Sequence, residues 1–484
     1  MKLKYLPIED RQNLRVLRHN KDKKLTVAIL ESMLRRLLTL QTLWEYRKWF
    51  LELDEETLNA HPSLLCGLVQ IHVLGGNLSL AREWAEKLPE GSLYRCVTEL
   101  MIPGNAPKDL VNTIKRISDE GWRIPNLSLT AGRISVMNGV WDLTPYTEYM
   151  QENREQMYGM IKALFPDGYD TIYDMIQAEC RYQRNDCYGA LVQVVGMIPF
   201  LKEKRDMRIL FAALTLEIYV LVLNGQAGTT VPLMENLRRQ MEHNRLEEYI
   251  PNIEALDAWA AMYDCDYARV TRWMKNDAPD EFTRFCMLDV FRYLVKMRAY
   301  IIQGKHLAVT SLAQRLLPLL IEGKRPMDTC ELYVIWAMSD LADGREADAI
   351  GHMESAIELA EKYRYDRMIA DEGKRALDVL RLYRRTHGEN AYVDHLCQLA
   401  EKTASLHPGY LKGQVSGGDG LTEAELRVLR LLADVRTNAE IAETLGIAVD
   451  TVKQHCSHIC KKLNVKNRHQ AVQAGVELGI LRKK

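Results

Sequence analysis

Short polar turns recur along this chain at a nearly fixed spacing, and that spacing limits its architecture more than any other feature. Asn185, Gly225, Cys265, Gly304 and Gly344 stand in such turns, separated by 40, 40, 39 and 40 positions. Five residues beyond each comes a small or β-branched side chain: Ala190, Thr230, Val270, Val309 and Ala349. An earlier turn, Gly75-Gly76-Asn77, is followed by Ala81. Between the turns apolar residues keep helical spacing, as in "AILESMLRRLLTLQTLWEYRKWF", "FAALTLEIYVLVL" and "ALDVLRLYRR". Alternating strand patterns are scarce. Each unit therefore reads as a helix, a tight turn, and a second helix whose small residue permits close approach. One hairpin cannot bury its apolar face alone, so neighbours are expected to stack into a helical-repeat superhelix. The simpler alternative is an irregular helical bundle with coincidental turns.

The last unit, "WAMSDLADGREADAIGHMESAIELA", has Ala337, Gly344, Ala349 and Ala356 at tetratricopeptide-like positions. The expected fold class is thus all-α, with residues 1–405 a tetratricopeptide-like sensor or docking region. At 484 residues, two to four domains are expected. With 47% apolar and 27% charged residues, the chain can bury sizeable cores. The opening "MKLKYLPIEDRQNLRVLRHNKDKK" lacks the apolar region of a signal peptide. The longest apolar run, Ile209 to Leu223, is interrupted by Glu217 and falls short of the roughly 20 residues of a bilayer span. A cytoplasmic protein with no membrane partner is expected.

The ten cysteines are scattered without a CxxC pair and read as reduced, buried thiols. Cys456 and Cys460 lie beside His455 and His458, but no second cluster completes a tetrahedral site. Cys456 also falls in step with Val452, Ile459 and Leu463, which is a core face. No metal and no cofactor are expected. Trp259, Trp273 and Trp336 could line a concave surface, though their helical spacing favours the core. No effector-binding residue can be assigned.

The stretch "LHPGYLKGQVSGGDG", 406–420, with five glycines and a proline, reads as a flexible linker. Strong punctuation follows it. "TEAE" (422–425) and "TNAE" (437–440) are capping boxes, the second opening a helix that Gly446 ends after Leu445. A longer helix is expected over about Asp450–Leu463, stopped at Asn464, and a fourth over about His469–Leu478. Ala442, Gly446 and Val452 have helix-turn-helix spacing, over about 438–457. That spacing leaves Lys453, Gln454, Ser457 and Lys461 pointing away from the core. The chain as a whole is nearly neutral, at −1. Yet 419–450 holds three basic and seven acidic residues, whereas 451–484 holds eight basic and one acidic. The basic excess is thus confined to the part from 451 onward, the side expected to meet double-stranded DNA through a helix in its major groove.

Leu421 to Leu481 resembles the LuxR-type helix-turn-helix domain, through "LTEAELRVLRLLA", "TNAEIAETLGI", "TVKQHCSHICKKLNV" and "RHQAV". The domain expected is 421–482, a four-helix module. The resemblance implies dimerisation through the fourth helix, a homodimer on DNA, and transcriptional output through RNA polymerase. It implies that Lys453, Gln454 and Ser457 face bases, and that Thr451, His455, Lys461 and Lys462 lie at or near the phosphate backbone. Three departures stand out. Val435 occupies a common glycine position, Ala424 a basic one, and Ala448 the usual Ser or Thr cap of the recognition helix. The body, through "RISVMNGVWDL", "PNIEALDAWAAMYDCDYARVTRWM" and "IADEG", resembles the sensor region of large maltose-activator-type regulators over about Leu51–Leu380. It carries no G-x-x-x-x-G-K-[ST] loop, so it reads as such a regulator without the ATPase domain.

The function expected is a sequence-specific DNA-binding transcriptional regulator, controlled by a small-molecule or protein effector on the helical body. No nucleophile elbow, metal motif or paired carboxylates suggest an enzyme, so no catalytic residue is assigned. One rival is a helical-repeat interaction scaffold anchored to DNA. A phosphorylation-controlled response regulator would need an α/β receiver, whose strand pattern the body lacks.

Overall fold

A computed structural model describes residues 5–35, 40–121, 133–164, 169–204, 206–412, 423–434, 436–463, 465, 467–477 and 481. Helix is their regular secondary structure; among them no strand forms, and one isolated bridge joins Asn138 to Asp142. Two units divide the chain, one built from 1–299 and 306–410, the other from 300–305 and 411–484.

The periodic turns have a shared stereochemical cause. Gly76, Asn185, Gly225, Cys265, Gly304 and Gly344 all take positive φ, between 56° and 80°. At five of them the next residue's N–H reaches back to a carbonyl five residues earlier. These bonds are Asn77 to His72 (2.8 Å), Asp186 to Arg181 (2.8 Å), Asp266 to Ala261 (2.9 Å), Lys305 to Tyr300 (2.9 Å) and Arg345 to Asp340 (2.9 Å). This is Schellman closure, which satisfies carbonyls orphaned at the helix end and needs a left-handed residue there. Gly and Asn adopt that conformation at little steric cost; Cys265 does so against its Cβ. Gly225 differs, lying in a π-turn over Val222–Gln226.

Helices flanking these turns pack as pairs: Pro62–Leu74 with Leu78–Glu86, Tyr169–Gln183 with Cys187–Lys204, and Met207–Leu221 with Thr230–His243. Ile250–Tyr263 pairs with Tyr267–Asn276, and Pro326–Ala342 with Glu346–Tyr363. Ala81, Ala190, Thr230, Val270, Val309 and Ala349 are all buried. The stretch 207–243 is apolar and long enough to cross a bilayer, but it breaks into two helices at Gly225 and its most apolar part is mostly buried within the body. Trp259, Trp273 and Trp336 belong to the core, Trp259 stacking on Tyr219 at 4.1 Å.

One part of the body is polar at its centre. Asp328, 1% exposed, accepts from Arg133 at 2.8 and 3.1 Å, from Arg325 at 2.5 Å and from Asn138 at 2.8 Å. The Arg325 guanidinium also donates to the carbonyls of Val140 and Gly139, each at 3.0 Å. Asp142 accepts from the N–H of Met327 at 2.8 Å. The segment from Arg133 to Asp142 is thereby fixed against the helix Pro326–Ala342.

The expected linker begins later than its composition suggests. The helix Ala391–Leu406 runs into it, and His407 and Tyr410 are buried. Tyr410 stacks on Tyr263 at 3.9 Å and donates to Glu372 at 2.8 Å, while Tyr267 donates to the carbonyl of Gly409 at 3.0 Å. Aromatic burial outweighs the Gly-Pro signal up to Tyr410. Residues 413–420 lie outside the described residues.

Candidate nucleic-acid interface

The second unit contains a compact core formed by Leu426, Val428, Leu429, Leu432, Ile441, Ala442, Val452, Ile459, Ala471 and Leu481. Four helices supply it: Glu423–Ala433, Asn438–Leu445, Val449–Lys462 and Arg468–Glu477. The second opens with the expected capping box. Thr437 Oγ1 accepts from the Glu440 N–H at 3.3 Å, and Glu440 Oε2 accepts from the Thr437 N–H at 2.7 Å. That backbone bond, with the Thr437 hydroxyl, holds the Glu440 carboxyl below its usual range. Gly446, at φ 63°, ends the helix, and the Ile447 N–H closes on the Ala442 carbonyl at 3.1 Å. The tight turn needs the left-handed residue, and it sets the third helix across the second.

Val452 and Ile459 anchor the third helix, both fully buried. Cys456 and Cys460 pack partly against the same core, and burial pushes both thiols up. On the far side Lys453, Gln454 and Ser457 are exposed, while Thr451 and His455 are half-buried at its margins. The side chains of Lys461 and Lys462 lie outside the described residues, as do Thr422, Val435 and Asn464. Lys453 is held by Asp450 at 2.9 Å in an exposed pair, so engaging DNA means exchanging a weak partner. His458 shares this face, one turn beyond Gln454, with its side chain 62% exposed and Nδ1 3.9 Å from the buried Glu425. It was absent from the sequence candidates. The i, i+4 relation to Gln454 was the available signal. Arg468 is engaged otherwise, donating to the Arg436 carbonyl at 2.6 Å.

The helix start has a defect visible in the sequence. The Ala448 carbonyl accepts the first helical bond, from the Val452 N–H at 3.2 Å, which makes Ala448 the N-cap. Alanine offers no side-chain acceptor there. Ala448→Ser is expected to stabilise the module by about 1 kcal/mol, read as a raised midpoint for its thermal transition. An unchanged or lowered midpoint would show that another group already satisfies those N–H donors.

Comparison with known proteins bears on this unit. Residues 419–474 match the family described as bacterial regulatory proteins, luxR family. The transcriptional regulatory protein LiaR of Bacillus subtilis (strain 168) is 47% identical over 53 residues, 11% of this chain and 25% of that protein. The transcriptional regulatory protein DesR of the same strain is 39% identical over 72 residues, 15% of this chain and 36% of that protein. The transcriptional activator protein PhzR of Pseudomonas fluorescens is 42% identical over 60 residues, 12% of this chain and 25% of that protein. The chain thus spans about a quarter to a third of the length of these relatives. Its C-terminal unit contains a LuxR-family helix-turn-helix domain, homologous to those of LuxR-type regulators.

Proposed function

We propose that this protein is a sequence-specific DNA-binding transcriptional regulator whose helical body receives an effector or partner. The observation that carries the reading is the third helix. It is pinned by Val452 and Ile459, and it offers Lys453, Gln454 and Ser457 to solvent inside a luxR-family domain. In this reading the helix enters the major groove, with Lys453, Gln454 and Ser457 at base edges. Thr451, His455, Lys461 and Lys462 hold phosphates. Two modules, paired through the fourth helix, form a homodimer on the site, and the bound dimer contacts RNA polymerase. The relatives' names supply the transcriptional output.

Residues 1–405 form a tetratricopeptide-like superhelix in this proposal, similar to the sensor region of maltose-activator-type regulators. The recurrent left-handed turns and their paired helices support it. Residues beyond Tyr410 up to 420 tether the reader at 421–482. The protein works as a cytoplasmic switch and not as an enzyme.

The test is selection of bound sites from random DNA. Gln454→Ala removes a side chain able to bond an adenine edge. It is expected to change the preferred sequence and to weaken the best site by about 1–3 kcal/mol. An identical preference profile for the variant would remove Gln454 from the base-reading set. Binding without any change in transcription would favour a scaffold anchored to DNA.

A further inference from the structure

Within the helical body lies a cavity of about 680 Å³, inside the roughly 300–1,000 Å³ range of small-molecule sites. Its wall is drawn from distant stretches, including Leu100, Trp141, Tyr149, Met160 and Leu320. Most of the wall's hydrogen-bonding side chains, the Tyr363 hydroxyl apart, are already engaged by the protein. Trp141 Nε1 donates to the Leu100 carbonyl at 2.8 Å, Tyr146 Oη to the Asn105 carbonyl at 3.1 Å, and Tyr149 Oη to Gln156 at 3.0 Å. The Thr329 hydroxyl donates to the Arg325 carbonyl at 2.7 Å. Asp142 accepts from the N–H groups of Thr144 and Met327, at 3.0 and 2.8 Å. Arg325 is consumed by Asp328 and by the carbonyls beside it.

A polar occupant would lose its hydration and find few partners here, a heavy cost for each buried polar group. An apolar one gains from leaving water. The exception is at the rim. Lys324 lines the cavity and is exposed, and among the described residues no ion pair engages its ammonium. A single anionic end can lie there without being buried.

We infer that this cavity binds an amphipathic carboxylate, its alkyl or aryl part among Trp141, Tyr149 and Met160 and its acid group at Lys324. The regulatory consequence, that such a compound is the effector, rests on the function proposed above; the ligand class rests on the cavity alone.

Dodecanoate and dodecanol, titrated calorimetrically into the full-length protein, test the inference. Saturable binding of both is expected. Met160→Trp, which fills the cavity, should weaken both at least tenfold. Lys324→Met should weaken dodecanoate several-fold and leave dodecanol unchanged. A second measurement does not depend on the filled variant folding. 11-Bromoundecanoate, a contact quencher, should lower tryptophan emission in the wild type and lose most of that effect in Trp141→Phe. Absence of saturable binding overturns the inference. So does binding that ignores Met160→Trp together with quenching that ignores Trp141→Phe. DNA affinity measured in parallel separates the two readings. Saturating dodecanoate that leaves DNA affinity unchanged supports the site and counts against effector control. Intact DNA binding with no ligand binding overturns the site and spares the regulator.

Discussion

Replacing Asp328 with alanine is expected to destabilise the helical body by about 3–5 kcal/mol, the scale for removing one partner of a buried charge cluster. The geometry explains the size. Asp328 is 1% exposed and serves two guanidiniums, Arg133 and Arg325, both themselves buried. Without it, two cations stay in the interior with carbonyls, the Asn138 amide and the more distant Asp142 carboxyl, which makes no direct ion pair with either. Asp378→Ala offers the contrast. Its pair with Lys374 is exposed and lies within one helix, so its loss should cost less than about 1 kcal/mol. Urea unfolding followed by helical signal reads both variants. A midpoint drop for Asp328→Ala no greater than for Asp378→Ala would refute the argument.

The same residue has a pH signature. Burial alone would raise the Asp328 carboxyl, but Arg133 and Arg325 outweigh it and bring it down to about 2. A carboxyl held lower in the folded than in the unfolded state contributes stability above the ordinary carboxylate value. That contribution is lost as pH falls through the folded value. The wild type should therefore lose this component between about pH 4 and pH 2, the unfolded and folded values. Asp328→Ala should lack it.

How much of this could be read from the chain depends on the residue each feature employs. The turns at 76, 185, 304 and 344 were legible because a left-handed helix end recruits Gly or Asn. The turns lying between hairpins use the same geometry with Arg245, Lys324 and Arg364, at φ 57°, 51° and 62°. Their closing bonds run from Leu246 to Met241, Arg325 to Leu320 and Tyr365 to Ala360. Long basic side chains carry no turn signal, so these helix ends were invisible. The Arg133–Asp328 cluster was equally hidden, because its members are 195 residues apart and each reads singly as surface charge. In the DNA module, the Thr437 cap, the Gly446 stop, the core and the exposed face were all local, with partners within a few turns, and they were legible. His458 was weighed beside the cysteines as a metal ligand, and its place on the exposed face of the third helix was missed for that reason. The cavity escaped notice as well. Its wall residues obey core periodicity, and only their failure to meet across the gap distinguishes them from core.

The affinity of the full-length protein for its selected site should fall by about a thousandfold or more as salt rises from 50 to 200 mM. Net charge alone would not suggest this, since the chain carries −1 overall. What counts is where the cations lie. Lys453, Lys461, Lys462 and Lys466 all fall on the third helix or just after it, and Arg468 is partly spent on the Arg436 carbonyl. If each module neutralises three or four phosphates, a dimer neutralises roughly six to eight. The logarithmic salt slope is then about −0.9 for each contact. The slope also reports the stoichiometry of the complex. In the proposed arrangement, Lys462→Ala removes roughly one phosphate contact per module and should weaken all sequences alike. In a dimer every substitution counts twice, so the slope should become shallower by roughly two; a monomer would give roughly one. Fluorescence anisotropy over a salt series supplies both numbers. A slope near zero would remove the third helix from the phosphate backbone. A change of one unit instead of two would leave the domain on DNA but as a single reader, with the body acting by some means other than pairing.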